Sequence, residues 1–129
     1  MTALWSSVLM VALSQAPQKN QLALYVIREA LTPGCSADVD VSEEFTGPGA
    51  YARANAACEA QRKGRARSSY CAVRLGESRG SLQAVVVRIE RDCQGWPGVV
   101  VQSIGIGFGA DQEAARADAL RELGNRDWS

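Results

Sequence analysis

Apolar and polar positions alternate through residues 21–29. Leu22, Leu24, Val26 and Arg28 fall on one side of an extended chain, and Ala23, Tyr25 and Ile27 on the other. A period of two with β-branched and aromatic residues predicts a strand, which Thr32-Pro33-Gly34 ends. The following stretch carries Asp38, Asp40, Glu43 and Glu44 without a basic residue and closes on Gly47-Pro48-Gly49. It reads as a long, solvated surface loop. Residues 50–63 are rich in Ala, the best helix former. Tyr51, Ala54, Ala57, Cys58 and Gln61 share one face there, Arg62 and Lys63 oppose the helix dipole, and Gly64 is placed for a left-handed stop.

Three strands are expected next, at 68–75, 82–91 and 99–106. Gly76-Glu77-Ser78-Arg79-Gly80 reads as the first hairpin loop. Gly95-Trp96-Pro97-Gly98 reads as a turn, in which Pro97 and Gly98 suit the second and third positions of type II. Asp111 is an N-cap candidate for a helix over 112–123, in which Ala117, Leu120, Leu123 and Gly124 form a stripe. The order β-α-β-β-β-α predicts an α+β fold: an antiparallel sheet of three to four strands, with two helices on one face.

The 129-residue chain is long enough for one domain of ordinary size. Its net charge is zero, so no global field draws it to nucleic acid or to an anionic membrane. The apolar run 3–13 is too short to span a bilayer core of about 30 Å as a helix, and it ends in Ser14-Gln15-Ala16, a small-x-small pattern suited to signal peptidase. We read 1–16 as a signal peptide and 17–129 as a single disulfide-stapled domain. The run lacks Lys and Arg and is followed by Pro17, so the alternative is an amphipathic helix packed on the domain. The chain holds four cysteines, none spaced C-x-x-C, and no His. That set favours two disulfides in an oxidising compartment over redox or zinc chemistry. If the first helix returns antiparallel to the next strand, Cys58 comes level with Cys71, which leaves Cys35 to staple the long loop to Cys93.

The remaining features each admit a functional and a structural meaning. Gly105-Ile106-Gly107-Phe108-Gly109-Ala110 matches the dinucleotide fingerprint G-x-G-x-x-A on paper. No second parallel strand can follow within the chain, so we read a tight strand-to-helix turn whose small residues permit close packing, and expect no cofactor. Arg62, Lys63, Arg65 and Arg67, with Arg74 nearby, are either an anionic contact surface or a solvated helix end that balances the acidic loop. Trp96 is either an anchor for a partner or an indole folded back on the sheet edge, and Trp128 could clamp in the same way. No Ser has a His partner, and no other catalytic motif is present.

In order of elements, residues 50–123 resemble the double-stranded-RNA-binding domain, which also runs from a third strand through a Gly-containing turn into an Ala-rich helix. The resemblance implies a layout of strands and helices. The chain departs from that family where RNA is gripped. The family's second helix opens with lysines, and here stands Ala110-Asp111-Gln112-Glu113; the family's first hairpin loop carries a Pro-His pair, absent from Gly76-Glu77-Ser78-Arg79-Gly80. Carboxylates facing phosphate cost affinity.

The sequence therefore points to a small exported bacterial-type protein, periplasmic or extracellular, with no transmembrane segment in the mature chain. A non-catalytic role in binding another protein, or in the cell envelope, is expected. The alternatives are an exported inhibitor or immunity-type protein, a nucleic-acid-binding module on the double-stranded-RNA-binding-like scaffold, and an enzyme with an unrecognised site. Mass spectrometry of protein from its native host is expected to find an N-terminus near Pro17. Intact chain beginning at Met1 in the cytosol would refute export.

Overall fold

The computed structural model describes residues 19–125, apart from Ala66 and Gln94. The expected signal peptide at 1–16 and Trp128 lie outside the described residues. The elements are β1 (Asn20–Thr32), β2 (Cys35–Val41), β3 (Phe45–Thr46), α1 (Ala50–Arg62), β4 (Ser69–Ser78), β5 (Gln83–Asp92), β6 (Val100–Gly109) and α2 (Gln112–Gly124). The fold is α+β with antiparallel pairing throughout.

Six strands form two sheets, where a single sheet of three to four was expected. β1 is the spine of the first. β4 pairs along one side of it from Asn20 to Glu29; on the other side β3 takes Leu22 and Ala23, and β2 takes Val26 to Thr32. Between them Ser42 fills the gap, its amide donating to the Tyr25 carbonyl and its hydroxyl accepting from the Tyr25 amide, each at 2.9 Å. Among the described residues β5 and β6 pair only with each other.

The hairpin expected between β4 and β5 is thus absent. Gly76 lies inside β4, which continues through Ser78, and the chain then crosses to the other sheet instead of turning back as a hairpin. The reason is cover. Leu22 to Ile27 are buried at every position, so β1 needs a layer on each face. Ala23, Tyr25 and Ile27 pack under Ala50, Ala54 and Cys58 of α1. Leu24 and Val26 pack against Ile104 and Ile106 of β6. The layers run α1, first sheet, second sheet, α2, so the helices lie on opposite outer faces and not together on one.

The acidic stretch expected as loop is largely β2. Register with β1 fixes its side-chain directions, and Asp38 is turned inward, 4 % exposed. Gly64 has no positive φ; the left-handed glycines are Gly34, Gly47, Gly49, Gly95 and Gly98. α1 starts instead on Gly49, whose carbonyl accepts from the Arg53 amide at 3.0 Å. α2 starts on Asp111, whose carboxylate accepts from the Ala114 amide at 2.8 Å.

Gly105, Gly107 and Gly109 are alternate residues of β6, not a turn, and all face α2. A Cβ on Gly105 would sit 2.6 Å from Leu123 Cγ, and one on Gly109 would sit 2.6 Å from the Ala115 nitrogen. On Gly107 it would overlap the Ala115 carbonyl and the Ala119 nitrogen. The helix backbone therefore rests directly on the strand. Ala115, Ala119 and Leu123 are its buried stripe, while Leu120, expected on the buried face, is 47 % exposed. Only residues that let the helix approach the glycine track can occupy the contact, which rotates Leu120 outward.

Two disulfides tie the layers. Cys58–Cys71 joins α1 to β4 with Cα atoms 6.1 Å apart, and Cys35–Cys93 joins β2 to the end of β5 with Cα atoms 5.6 Å apart. The second closes a loop with a sequence separation of 58 residues and restricts the unfolded chain more than the first, whose separation is 13.

Gly107→Ala is expected to destabilise the protein by about 3 kcal/mol or more in urea unfolding without reductant, because helix backbone cannot yield to the new methyl. Gly64→Ala, with nothing within 4 Å of the added atom, is expected to stay within about 0.5 kcal/mol of wild type.

Candidate functional site

Three regions carry the residues with chemical potential. The first is the end of α1 with the acidic strand beside it. Arg62 is bonded to Glu59 at 2.8 Å and donates to the Ser69 carbonyl at 3.0 Å. Arg65 pairs with Asp40 at 3.6 Å. Gln61 links the same carboxylate, at 2.9 Å, to the Tyr25 hydroxyl, which donates to the Gln61 side-chain oxygen. Burial raises the Tyr25 pKa above its usual value, and the charges of Asp40 and Glu43 add to the effect. Lys63 and Arg67 are exposed. Two of the four basic residues, Arg62 and Arg65, are thus engaged with neighbouring groups at the surface of the fold.

The second region is the turn before β6. The Cys93 amide donates to the Val99 carbonyl at 2.8 Å, the Trp96 amide to the Cys93 carbonyl at 3.0 Å, and the Val99 amide to the Trp96 carbonyl at 3.1 Å. Gly98 at φ 82° follows Pro97 inside that last bond, as a type II turn requires. The Cys35–Cys93 disulfide fixes its base. Trp96 is 45 % exposed and stands beside exposed Val99 and Val100.

The third region was not legible as a site. Arg74, on the face of β4 turned toward the second sheet, reaches the edge of β6. It donates to the Ile106 carbonyl and, at 3.0 Å, to Asp118 of α2, and its guanidinium lies 5.7 Å from the Phe108 ring centroid. Asp118 also accepts from the Phe108 amide at 2.9 Å. Phe108 itself lies over Gly76, where a Cβ would come within 2.9 Å of the Phe108 Cβ. Two clefts meet at Arg74. One of 340 Å³ is lined by Gly76, Ser78, Phe108, Gly109 and Asp118; the other, of 180 Å³, is lined by Val26, Arg28, Ala72, Ile106 and Glu122. In the sequence Arg74 stands only as a neighbour of the basic cluster. Asp118 carried no signal, since one aspartate in an Ala-rich helix reads as solvated.

Burial works to raise the Asp118 pKa. The Phe108 amide and Arg74 outweigh it, helped by the charge of Arg121, and hold it below the ordinary 3.8. The arrangement neutralises both charges and ties β4, β6 and α2 together. Among the described residues no three His, Cys, Asp or Glu side chains converge as metal ligands. No helix of the described residues is long and apolar enough to cross a membrane. The glycine track that matched a nucleotide fingerprint is covered by α2.

The chain matches no protein-family model, and comparison with curated proteins and with solved structures likewise yields no match. Its class is therefore defined by its own architecture: a four-layer, disulfide-stapled α+β protein.

A carboxylate with a depressed folded pKa stabilises the fold above its unfolded pKa, and loses that contribution as pH falls through the folded value. Asp118→Asn is expected to cost about 2 kcal/mol near neutral pH. The gap to wild type should begin to close as pH falls below the ordinary 3.8. A gap independent of pH down to acid unfolding would refute the ionised Arg74–Asp118 contact.

Proposed function

We propose that this is a small exported, non-catalytic protein, periplasmic or extracellular, that acts by binding another protein, with Trp96 as its anchor. The observation that carries the reading is the Trp96 turn. A large aromatic side chain is held 45 % in water, on a loop closed by three backbone hydrogen bonds and based on a disulfide. Exposing an indole forgoes burial, and ordering the loop beforehand lowers the entropy cost of association. Tryptophan is enriched among residues that dominate interface energies. Two disulfides favour an oxidising compartment. The engagement of Arg62 and Arg65 with Glu59 and Asp40 weighs against nucleic acid.

An inhibitor or immunity-type role is the second reading, favoured by the same feature. A rigid projecting turn is the shape that blocks an enzyme's cleft without remodelling itself.

The test is Trp96→Ala, measured by melting and by capture from envelope extract under non-reducing conditions, with bound proteins identified. The variant is expected to melt within a few degrees of wild type. It should bind the captured partner about 30-fold more weakly, the equivalent of about 2 kcal/mol. Early melting, or capture of every wild-type partner at unchanged strength, would remove Trp96 from the binding role.

A further inference from the structure

The two outer edges of the β5–β6 pair are treated differently. Along β6, the backbone groups that point away from β5 are taken by side chains. The Ile104 amide donates to Asp38 at 2.7 Å, the Phe108 amide to Asp118 at 2.9 Å, and the Ile106 carbonyl accepts from Arg74. Such caps blunt an edge against further pairing.

β5 has the opposite edge. Ile104 stands opposite Arg88 and directs its amide outward, so Arg88 directs its own amide and carbonyl outward on the far side. By alternation Ala84, Val86, Glu90 and Asp92 do the same. Pairing with β6 is continuous from Gln83 to Asp92 with no bulge, and the strand contains no proline. Among the described residues β5 pairs with β6 alone. It is a straight ten-residue template of the kind that accepts another strand.

Its sequence selects the occupant. In a two-fold antiparallel pair, outward residues must face outward residues, so the axis can pass through Val87, Arg88 or Ile89 near the middle of the strand. An axis at Arg88 sets that guanidinium against its own copy. At Val87, Arg88 faces Val86, and Glu90 faces Ala84. At Ile89, Arg88 of each copy faces Glu90 of the other, and Ile89, 37 % exposed in one chain, meets its own copy across the axis. Arg88 and Glu90 are exposed, and neither is in an ion pair within the described chain; Arg88 makes only a 3.4 Å contact with Gln102. Opposite charges facing each other across strands are stabilising and like charges are not.

We propose that β5 pairs antiparallel with β5 of a second copy of this chain about an axis at Ile89, joining two β5–β6 pairs into one four-stranded sheet with Arg88–Glu90 contacts on either side of the axis. The pairing rests on the β5 backbone and on Arg88, Ile89 and Glu90, none of which belongs to the Trp96 turn.

Sedimentation of the disulfide-bonded full chain over a concentration series tests the proposal. Wild type should dimerise. Arg88→Glu and Glu90→Arg should each weaken the dimer by about tenfold or more, by setting like charges opposite each other twice. Because both residues are exposed, melting of either variant at high dilution should match wild type. Mixing the two variants should restore a heterodimer, and Arg88→Glu combined with Glu90→Arg in one chain should restore the homodimer. A wild type that stays monomeric throughout overturns the proposal. So does a dimer that Arg88→Glu leaves unchanged or strengthens, or a mixture of the variants that fails to associate.

Discussion

The structure depends on a strand that must be covered twice. From Leu22 to Ile27 β1 has no position that tolerates water, and a sheet built on it needs a layer on each face. α1 supplies one. The other cannot be a second helix on the same sheet, because α2 is claimed by the glycine track on the far side of β6. The β5–β6 pair therefore becomes a layer of its own, between β1 and α2. The break between β4 and β5, the passage of the chain through Arg79–Leu82, and the placing of the helices on opposite faces follow from that one requirement.

Stacking a two-stranded pair on a sheet leaves strand edges inside or beside the core, where unpaired backbone groups are costly. β6 meets the difficulty with charged side chains from three elements. Asp38, from β2, holds the Ile104 amide and is itself held by Arg28 at 2.8 Å. Asp118, from α2, holds the Phe108 amide and Arg74, which in turn takes the Ile106 carbonyl. Buried or half-buried ions at these places are paired and hydrogen-bonded, the condition under which such groups are tolerated. Gln102 and Arg91 extend the same seam to the carbonyls of Asp38 and Ser36. With Cys35–Cys93 beside it, β2 works as a clasp between the sheets.

The neighbouring turn is anchored on the same disulfide. Trp96 lies three residues beyond Cys93, within a pair of turns closed by backbone hydrogen bonds. The clefts at Arg74 contrast with it. Arg74 and Asp118 there are satisfied by each other and by the β6 backbone, an arrangement that joins layers.

What the sequence determined by itself was local. Periodicity placed β1, β4, β5 and β6 and both helices to within a few residues, because alternation and Ala-rich runs report backbone geometry directly. Asp111 as N-cap and Pro97-Gly98 as a type II turn are equally local, each requiring only its neighbours' dihedrals. Antiparallel return of α1 onto β4 brings Cys58 to Cys71 for the same reason. Beyond the β5–β6 hairpin, tertiary structure decided which strands pair, and with that what the acidic stretch does and what the glycines pack against. Asp38 reads as a solvated acid until β1 supplies a partner strand and β6 a free amide. Gly105 and Gly107 read as a turn until a helix backbone lies against them. Leu120 reads as core until that contact rotates it out. Each of these depends on another element of the fold, such as the contact between Asp38 and Ile104, 66 residues apart in sequence. A pattern of neighbouring residues carries no information about them.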